Sequence, residues 1–280
     1  MKKTILMVAL MWAVAAGGVA RATLITGAWE FNGDYSAAIG TDLLPQGAAV
    51  GGSVFGTTTA LGVPNIGGQV AQVMRFPAMP TSADGYQMFS GAAANGSTSD
   101  VNLYTLIMDI LYPSTSTGYR ALFQTSAANS GDADWFVNDS NGIGIRGMYN
   151  GDLTPDTWHR IALVVDLEQT DVTKKYLNYM DGTFVGYSDL LAEGNPGGWY
   201  SVWSAASGKP SWLFSDNDGE TAPGYVNSVQ FRDYAMTPIE LAGLGGATAA
   251  GISNIPEPSS VLLLGAAALL LAARRFRRIT

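Results

Sequence analysis

The chain contains no cysteine and a single histidine, His159. Without cysteine it cannot form disulfides, use a catalytic thiol or bind a metal through thiolates. One histidine is too few for a zinc site that needs several histidine ligands. Residues 23–254, about 230 in number, are enough for one domain with a large apolar core, so this domain can fold without disulfides.

Basic side chains are also scarce in the central part of the chain. Between Thr23 and Asn254, eight Lys and Arg residues stand against 22 acidic ones, which makes the net charge of this part −14, compared with −8 for the whole chain. Such a surface repels the phosphates of nucleic acids and anionic lipid headgroups, so nucleic acid is excluded as a partner. The same surface can concentrate divalent cations.

The N-terminus has the pattern of a secretory signal peptide. Lys2 and Lys3 precede an apolar run of about ten residues, and small side chains stand at Ala20 and Ala22, the two positions that signal peptidase reads. A buried N-terminal helix is the alternative. The charge, the length of the run and the small residues after it predict a signal peptide over residues 1–22 and an exported protein.

Turn signals recur at short intervals, and the segments between them favour strands. In RIALVVDLE, residues 160–168, apolar side chains alternate, which is typical of a strand with a buried face. VNLYTLIMDILY, residues 101–112, is apolar on both faces, as expected of a central strand. Asp181 and Gly182 suit the positive φ angles of a type I′ turn, so the residues on either side are predicted to form a hairpin.

Helical signal is scarce, and the clearest segment is TPIELAGLGG. Thr237 and Glu240 have the spacing of a capping box, Pro238 suits the first helical position, and Gly245 and Gly246 end the helix. Many short strands, few helices and no βαβ rhythm predict an all-β fold, a two-sheet antiparallel sandwich.

Two motifs that resemble catalytic sequences have simpler interpretations. GIGIRG, residues 142–147, has the spacing of a dinucleotide-binding loop, but Gly151 and Pro155 prevent the long helix that such a site requires. Its glycines therefore favour turns and close strand packing. His159 could join a Ser–His–Asp triad only with partners distant in sequence, whereas a lone histidine beside Trp158 is typical of packing or hydrogen bonding.

An acidic segment, SDNDGE at residues 215–220, allows three interpretations. Asp216, Asp218 and Glu220 can supply oxygen ligands for Ca²⁺ from a tight turn, although Gly219 stands too early for an EF-hand. The same carboxylates can act as the acid and base of a glycosidase, since alternate residues of a strand share one face. The third interpretation is a solvated acidic turn.

Aromatic residues concentrate in GGWYSVWSAASGKPSWLF. Exposed rings stack on the faces of sugars, so this segment is a candidate glycan-binding surface, whereas buried rings would fill the core or rim of the sandwich. The sequence favours packing over binding but leaves both open. The candidate ligand-binding residues are Trp199, Tyr200, Trp203 and Trp212.

The order of segments in the central part resembles a laminin-G-like domain of the concanavalin A-like superfamily. The resemblance rests on an opening strand with Trp29, a strand that begins Trp-His-Arg, an Asp-Gly hairpin, and a closing strand followed by a short helix that ends at Gly246. The segments are GAWEFNGDY, YTLIMDILYPS, GIGIRGMYNGDLTPDTWHRIALVVD, YLNYMDGTFVG and LFSDNDGETAPGYVNSVQFRDYAMTPIELAGLGG.

The resemblance implies a two-sheet antiparallel jelly roll. Members of this family mostly bind glycans or proteins, and some hold calcium at the rim. The superfamily also includes laminarinase-type glycoside hydrolases, which carry a Glu-x-Asp-x-x-Glu strand that this chain lacks. The resemblance therefore implies a binding domain, not an enzyme, and a glycosidase is the alternative.

The C-terminus carries a Pro-Glu-Pro tripeptide at residues 256–258, an apolar run and a cluster of arginines. In these features it resembles a PEP-CTERM sorting signal. Such a signal is recognised by an exosortase, a membrane protease-transpeptidase of Gram-negative bacteria that make exopolysaccharide. Its apolar run, Val261 to Ala273, has 13 residues and would extend roughly 20 Å as a helix, whereas a bilayer core is about 30 Å thick. Brief membrane insertion followed by cleavage suits this length better than a lasting anchor. The motif residues are Pro256, Glu257, Pro258, Arg274, Arg275, Arg277 and Arg278.

The predicted organisation follows from these patterns. It comprises a signal peptide at 1–22, a sandwich at 23–246, a linker at 247–254, and a sorting signal at 255–280 with a membrane segment at about 259–273. The expected protein is an exported, non-catalytic glycan- or protein-binding module of the cell surface or extracellular matrix, associated with exopolysaccharide. The alternatives are a polysaccharide-degrading glycosidase and a purely structural matrix protein.

The expected partners and cofactor are few. Signal peptidase and exosortase act during processing, and the inner membrane holds the C-terminal helix transiently. Afterwards the partner is a polysaccharide or a matrix protein. Ca²⁺ is the one candidate cofactor.

Overall fold

The computed structural model describes residues 24–96, 99–188 and 200–252. Within these ranges the chain forms two antiparallel sheets that pack face to face, which confirms the predicted all-β sandwich. The first strands are β1 (Ile25–Trp29), β2 (Ala37–Ile39), β3 (Leu44–Gln46), β4 (Val54–Thr57), β5 (Gln72–Phe76), β6 (Gly85–Met88), β7 (Asp100–Val101), β8 (Leu103–Leu111) and β9 (Arg120–Gln124). The later strands are β10 (Trp135–Val137), β11 (Ile143–Ile145), β12 (Met148–Asn150), β13 (His159–Asp166), β14 (Tyr176–Met180), β15 (Thr183–Tyr187), β16 (Val202–Trp203), β17 (Ser211–Leu213) and β18 (Gly224–Arg232).

The strands divide into two large sheets and one small pair. The larger sheet has the order β15-β14-β13-β8-β18-β1-β2, and β5 also pairs with β18 and carries β4 at its other side. The smaller sheet has the order β12-β11-β10-β9-β17-β6-β3, and β16 pairs with β7. Two short α-helices, α1 (Ala48–Gly52) and α2 (Pro238–Leu244), and two 3-10 turns, Val172–Lys174 and Ala205–Ser207, complete the described elements.

The main core lies between the two sheets. On β13, Ile161, Leu163 and Val165 point into this core, as their alternation predicts. Strand β8 lies at the centre of the larger sheet between β13 and β18, which agrees with its apolar residues on both faces. Asp181 and Gly182 form the turn between β14 and β15 with φ angles of 50° and 79°, as a type I′ turn requires.

The outer face of the larger sheet is covered by the C-terminal part of the domain. Ala162 and Val164, on the opposite face of β13, form a second apolar cluster with Met236, Leu241 and Leu244. The capping box predicted for α2 is present, with the Thr237 hydroxyl and the Glu240 carboxylate satisfying each other's backbone N–H groups. The helix therefore forms a partial third layer over the sandwich.

A buried ion pair attaches this layer to the sheet. The Arg160 guanidinium donates to both oxygens of Asp109 at 2.6 and 2.7 Å, to the Leu244 carbonyl at 2.8 Å and to the Gly251 carbonyl at 3.0 Å. The Thr248 hydroxyl also donates to the Gly251 carbonyl at 2.8 Å. We call these five residues the Arg160 clamp.

The clamp changes the expected domain boundary. Residues 247–254 were predicted to be a linker, but residues 247–252 pack on the larger sheet. Ala247 and Ala249 contact the apolar cluster around Trp158, Gly251 is buried, and Ile252 contacts the cluster under α2. Small side chains are typical of linkers, but here they permit close packing around buried carbonyl groups.

Replacement of Arg160 tests the clamp. Arg160→Leu leaves the Asp109 carboxyl buried without its charged partner and removes the donor to the Leu244 carbonyl, so we expect the free energy of unfolding to fall by about 3–5 kcal/mol. Urea denaturation measures this change. The control is Lys174→Ala, which removes an exposed pair with Asp171 and should change stability by less than about 1 kcal/mol. A loss in Arg160→Leu no larger than in the control would contradict a stabilising role.

Candidate functional site

A groove of about 890 Å³ lies on the face of the smaller sheet that points away from the main core. Its floor follows from the alternation of β10, where Trp135 and Val137 enter the core and Phe136 points outward. The segment from Gln124 to Asp134 and the end of β16 form its walls. The sandwich therefore leaves this face open, whereas α2 and the Arg160 clamp cover the larger sheet.

Three aromatic rings form one side of the groove. The rings of Tyr119 and Tyr149 lie edge to face with centroids 5.8 Å apart, and Tyr119 lies 6.2 Å from Phe136 in the same arrangement. Tyr119 is 38% exposed, while Phe136 is buried beneath it. Sequence reasoning missed this cluster because its members come from separate segments. The one available signal was strand alternation, which predicts that Phe136 points away from the core.

The predicted aromatic residues have different environments. Tyr200 borders the groove but is only 1% exposed. The centroid of its ring lies 5.7 Å from that of Tyr176, and its backbone carbonyl accepts a hydrogen bond from the Tyr104 hydroxyl. Trp212 is 6% exposed, and its indole N–H donates to a backbone carbonyl. Burial of these two rings favours the packing interpretation.

Trp203 is the predicted aromatic residue that reaches the groove partly exposed. It lies on β16 opposite Asp100 of β7, and the Lys209 ammonium sits 4.0 Å from the centroid of its ring. A cation therefore already covers one face of this ring. Trp199 lies outside the described residues.

The acidic loop, residues 215–220, forms one end of the groove. The Asp216 side chain is fully buried: one oxygen accepts from Ala133 N at 2.8 Å, and the other accepts from the backbone N–H groups of Asp218 at 3.1 Å and Glu220 at 3.4 Å. Asp218 and Glu220 are exposed, and one oxygen from each of the three carboxylates lies within 4.8 Å of the others. Asp216 thus holds the loop together, and its two neighbours face solvent.

Hydrogen bonding, burial and the neighbouring negative charges raise the pKa values of two carboxyls in this loop. The pKa of Asp218 is raised, first by its hydrogen bond with the Asp216 carboxyl and then by partial burial. Burial is the largest cause of the raised pKa of Glu220, followed by the charges of Asp218, Asp216 and Asp132. The acidic end of the groove is therefore a region of negative potential that favours a cation.

Asp134 is a further carboxyl that borders the groove, and sequence reasoning missed it. Burial raises its pKa to about 7, against the hydrogen bond that the Thr125 N–H donates to its side chain at 2.6 Å. Its backbone carbonyl accepts a hydrogen bond from the Tyr176 hydroxyl in the core. The folded protein therefore favours the protonated form of Asp134 below about pH 7.

His159 lies outside the groove, whereas the end of the glycine motif, Ile145 to Gly147, borders it. The His159 Nδ1–H donates a hydrogen bond at 2.7 Å to the Asp181 carboxylate, at the start of β13. In GIGIRG, a β-carbon on Gly144 would approach the Met148 carbonyl to 2.0 Å. These glycines serve the close pairing of β11 and β12. The element that directly follows the motif is the strand β12, not a helix, as the sequence analysis expected.

The raised pKa of Asp134 predicts a pH dependence of stability. Its folded-state pKa of about 7 exceeds the ordinary value of 3.8, so its contribution is present in full below pH 4 and is lost as the pH rises to about 7. Relative to the wild type, Asp134→Asn should therefore gain about 3 kcal/mol in free energy of unfolding between pH 4 and pH 8. Denaturation at several pH values measures this difference, and exposed Asp152→Asn should show none. A constant difference for both variants would contradict the assignment.

Comparison with known families identifies the C-terminal segment. Residues 254–278 match the PEP-CTERM protein-sorting motif, which confirms that part of the sequence analysis. The motif indicates an exported protein that an exosortase sorts. No curated protein matches the chain in sequence.

The predicted processing segments lie outside the described residues. They are the signal peptide with Ala20 and Ala22, the sorting residues Pro256, Glu257, Pro258, Arg274, Arg275, Arg277 and Arg278, and the predicted membrane segment at about 259–273. In the part of the chain that the structure describes, no helix has both the length and the apolar character needed to cross a membrane.

Several solved structures are similar in fold. Domain 4 of AbnA, a GH43 extracellular arabinanase from Geobacillus stearothermophilus solved with arabinotriose, has a TM-score of 0.47 and 16% identity, over 80% of this chain and 98% of that one. The botulinum neurotoxin serotype G binding domain has a TM-score of 0.46 and 10% identity, over 79% and 50%. Trypanosoma rangeli sialidase has a TM-score of 0.42 and 13% identity, over 65% and 27%. At such identities and scores, the similarity carries no inference about ligand or activity.

Proposed function

We propose that this exported protein is a non-catalytic glycan-binding module and that the groove on the smaller sheet is its binding site. The observation that carries the proposal is the groove itself, about 890 Å³ in volume and open along the edges of the Tyr119 and Tyr149 rings. Sugar rings stack on aromatic side chains, and their hydroxyls pair with carboxylates, amides and hydroxyls. The groove offers such polar groups at Ser126 and Ser130.

The geometry of the acidic loop supports a binding role over hydrolysis. A glycosidase needs two carboxyls that are free to act as acid, base or nucleophile. Here both oxygens of the buried Asp216 carboxylate accept hydrogen bonds from backbone N–H groups, three in all. The glycosidase alternative predicts a release of sugars, which the binding proposal excludes.

The same proposal extends to the destination of the protein. The sorting motif directs the chain to an exosortase, and we infer that cleavage releases the domain to the cell surface or the extracellular matrix. Its ligand there is the host's own exopolysaccharide or another matrix component. Ile252, two residues before the motif begins, still packs on the larger sheet.

Glycan binding is tested with a variant of the groove. Tyr149→Ala removes a partly exposed ring, and we expect it to weaken binding of the host polysaccharide or of array-selected oligosaccharides about tenfold, which corresponds to about 1.4 kcal/mol. Calorimetry measures this change. The control is Phe184→Ala, which removes an exposed ring from the larger sheet and should leave affinity unchanged. Absence of binding to any polysaccharide, or release of sugars from it, would refute the proposal.

Calcium at the acidic loop is a second proposal, favoured by two observations. The three carboxylates converge, and the side-chain oxygen of Asn217 on the same loop is buried without a hydrogen-bond partner in the described part of the chain. Converging oxygens from carboxylates and amides are typical ligands of Ca²⁺. The cation would also neutralise the charges that raise the pKa values of Asp218 and Glu220.

Thermal unfolding tests this site. Because a ligand that binds only the native state raises stability, Ca²⁺ at a hundred times its dissociation constant should add about 2.7 kcal/mol, and EDTA should remove the gain. The Asp218→Asn/Glu220→Gln variant should lose the response, while Asp152→Asn should keep it. Equal melting temperatures in Ca²⁺ and in EDTA would exclude the metal.

A further inference from the structure

The groove follows strand β9 over its whole length. Tyr119, directly before the strand, and Gln124, its last residue, both line the groove. A strand rises about 3.3 Å per residue, so these two positions lie roughly 16 Å apart. A single sugar ring is much shorter than this distance and fills only part of the groove.

The tyrosine rings lie towards the start of β9. Sheet pairing aligns Tyr149 of β12 with Phe136 of β10 and Ala121 of β9. From this position the Tyr149 ring contacts the ring of Tyr119, with the two centroids 5.8 Å apart. The rings that we assign to glycan binding therefore occupy one end of the groove.

Trp203 lies towards the other end of β9. The Asp134 N–H donates to the Phe123 carbonyl at 2.8 Å, one residue before the end of the strand. The Asp134 carbonyl accepts from the Tyr176 hydroxyl, and the Tyr176 ring packs against the Tyr200 ring. Tyr200 and Trp203 both line the groove. These contacts place the segment from Tyr200 to Trp203 at the end of β9, away from Tyr119.

The Trp203 ring has one face available for a ligand. The Lys209 ammonium lies 4.0 Å from the ring centroid and covers one face, and the ring is partly exposed. Pairing of β16 with β7 fixes the backbone of Trp203 opposite Asp100, which also lines the groove. A sugar that stacks on Trp203 must therefore use the face that Lys209 leaves uncovered.

We propose that Trp203 is a second stacking site and that the groove binds a linear run of several sugar residues, which contacts Tyr149 at one end and Trp203 at the other. This inference rests on the proposed glycan-binding function and specifies the form of the glycan. A monosaccharide or disaccharide contacts one of the two sites. A longer chain contacts both and binds more tightly, because its second contact forms within the same complex.

A length series tests the proposal. Oligosaccharides of one to eight residues are prepared by partial hydrolysis of the host exopolysaccharide, and calorimetry measures their binding to the exported protein. The dissociation constant should fall at least about tenfold between the disaccharide and the shortest chain that spans both sites. It should then stay nearly constant, because further residues extend beyond the groove.

Three variants locate the second site. Trp203→Leu should remove the gain in affinity with length and leave the affinity for the disaccharide within about twofold. Trp203→Phe keeps an aromatic ring and should keep most of the gain, so it distinguishes loss of stacking from damage to the fold. Phe184→Ala, which removes an exposed ring from the larger sheet, should leave the whole length series unchanged.

The outcomes separate this inference from the proposed function. If all lengths bind equally and Tyr149→Ala weakens each of them, the groove has one stacking site, so the inference is overturned and the binding function stands. A gain with length that survives Trp203→Leu, or that Trp203→Phe loses as completely as Trp203→Leu, also overturns the inference. If no oligosaccharide and no intact polysaccharide binds, the proposed function and the inference both fall.

Discussion

The buried pair of Arg160 and Asp109 is the interaction on which the organisation of this domain depends. Two charged groups at the centre of a sheet would be costly unless each hydrogen-bonding group found a partner. The guanidinium is satisfied by the carboxylate and by the carbonyls of Leu244 and Gly251. In this domain the C-terminal segment supplies these carbonyls by returning across β8 and β13.

This constraint decides which surface of the sandwich is available. Once α2 and residues 247–252 cover the larger sheet, the outer face of the smaller sheet is left open, and there the groove forms. The same segment leads within two residues to the sorting motif. The residues that lead to the motif thus lie on the larger sheet, and the groove lies on the outer face of the smaller one.

The candidate site shows where sequence reasoning reached its limit. Asp216, Asp218 and Glu220 are neighbours in one short loop, so their convergence could be predicted from the chain alone. The aromatic residues were grouped by the same logic, but Tyr200 and Trp212 are buried. The rings that line the groove, Tyr119 and Tyr149, come from strands and turns that only sheet pairing brings together.

The sequence by itself determined that the protein is exported and sorted by an exosortase, and it determined the class of fold. Sorting signals are read as linear segments, and strand alternation, turn pairs and the capping box at Thr237 are local properties that survive without any tertiary contact. Only the tertiary structure decided which side chains are exposed. The exposure of Tyr149 and the burial of Asp134 depend on pairings between residues far apart in the chain. The raised pKa of Asp134 follows from that burial.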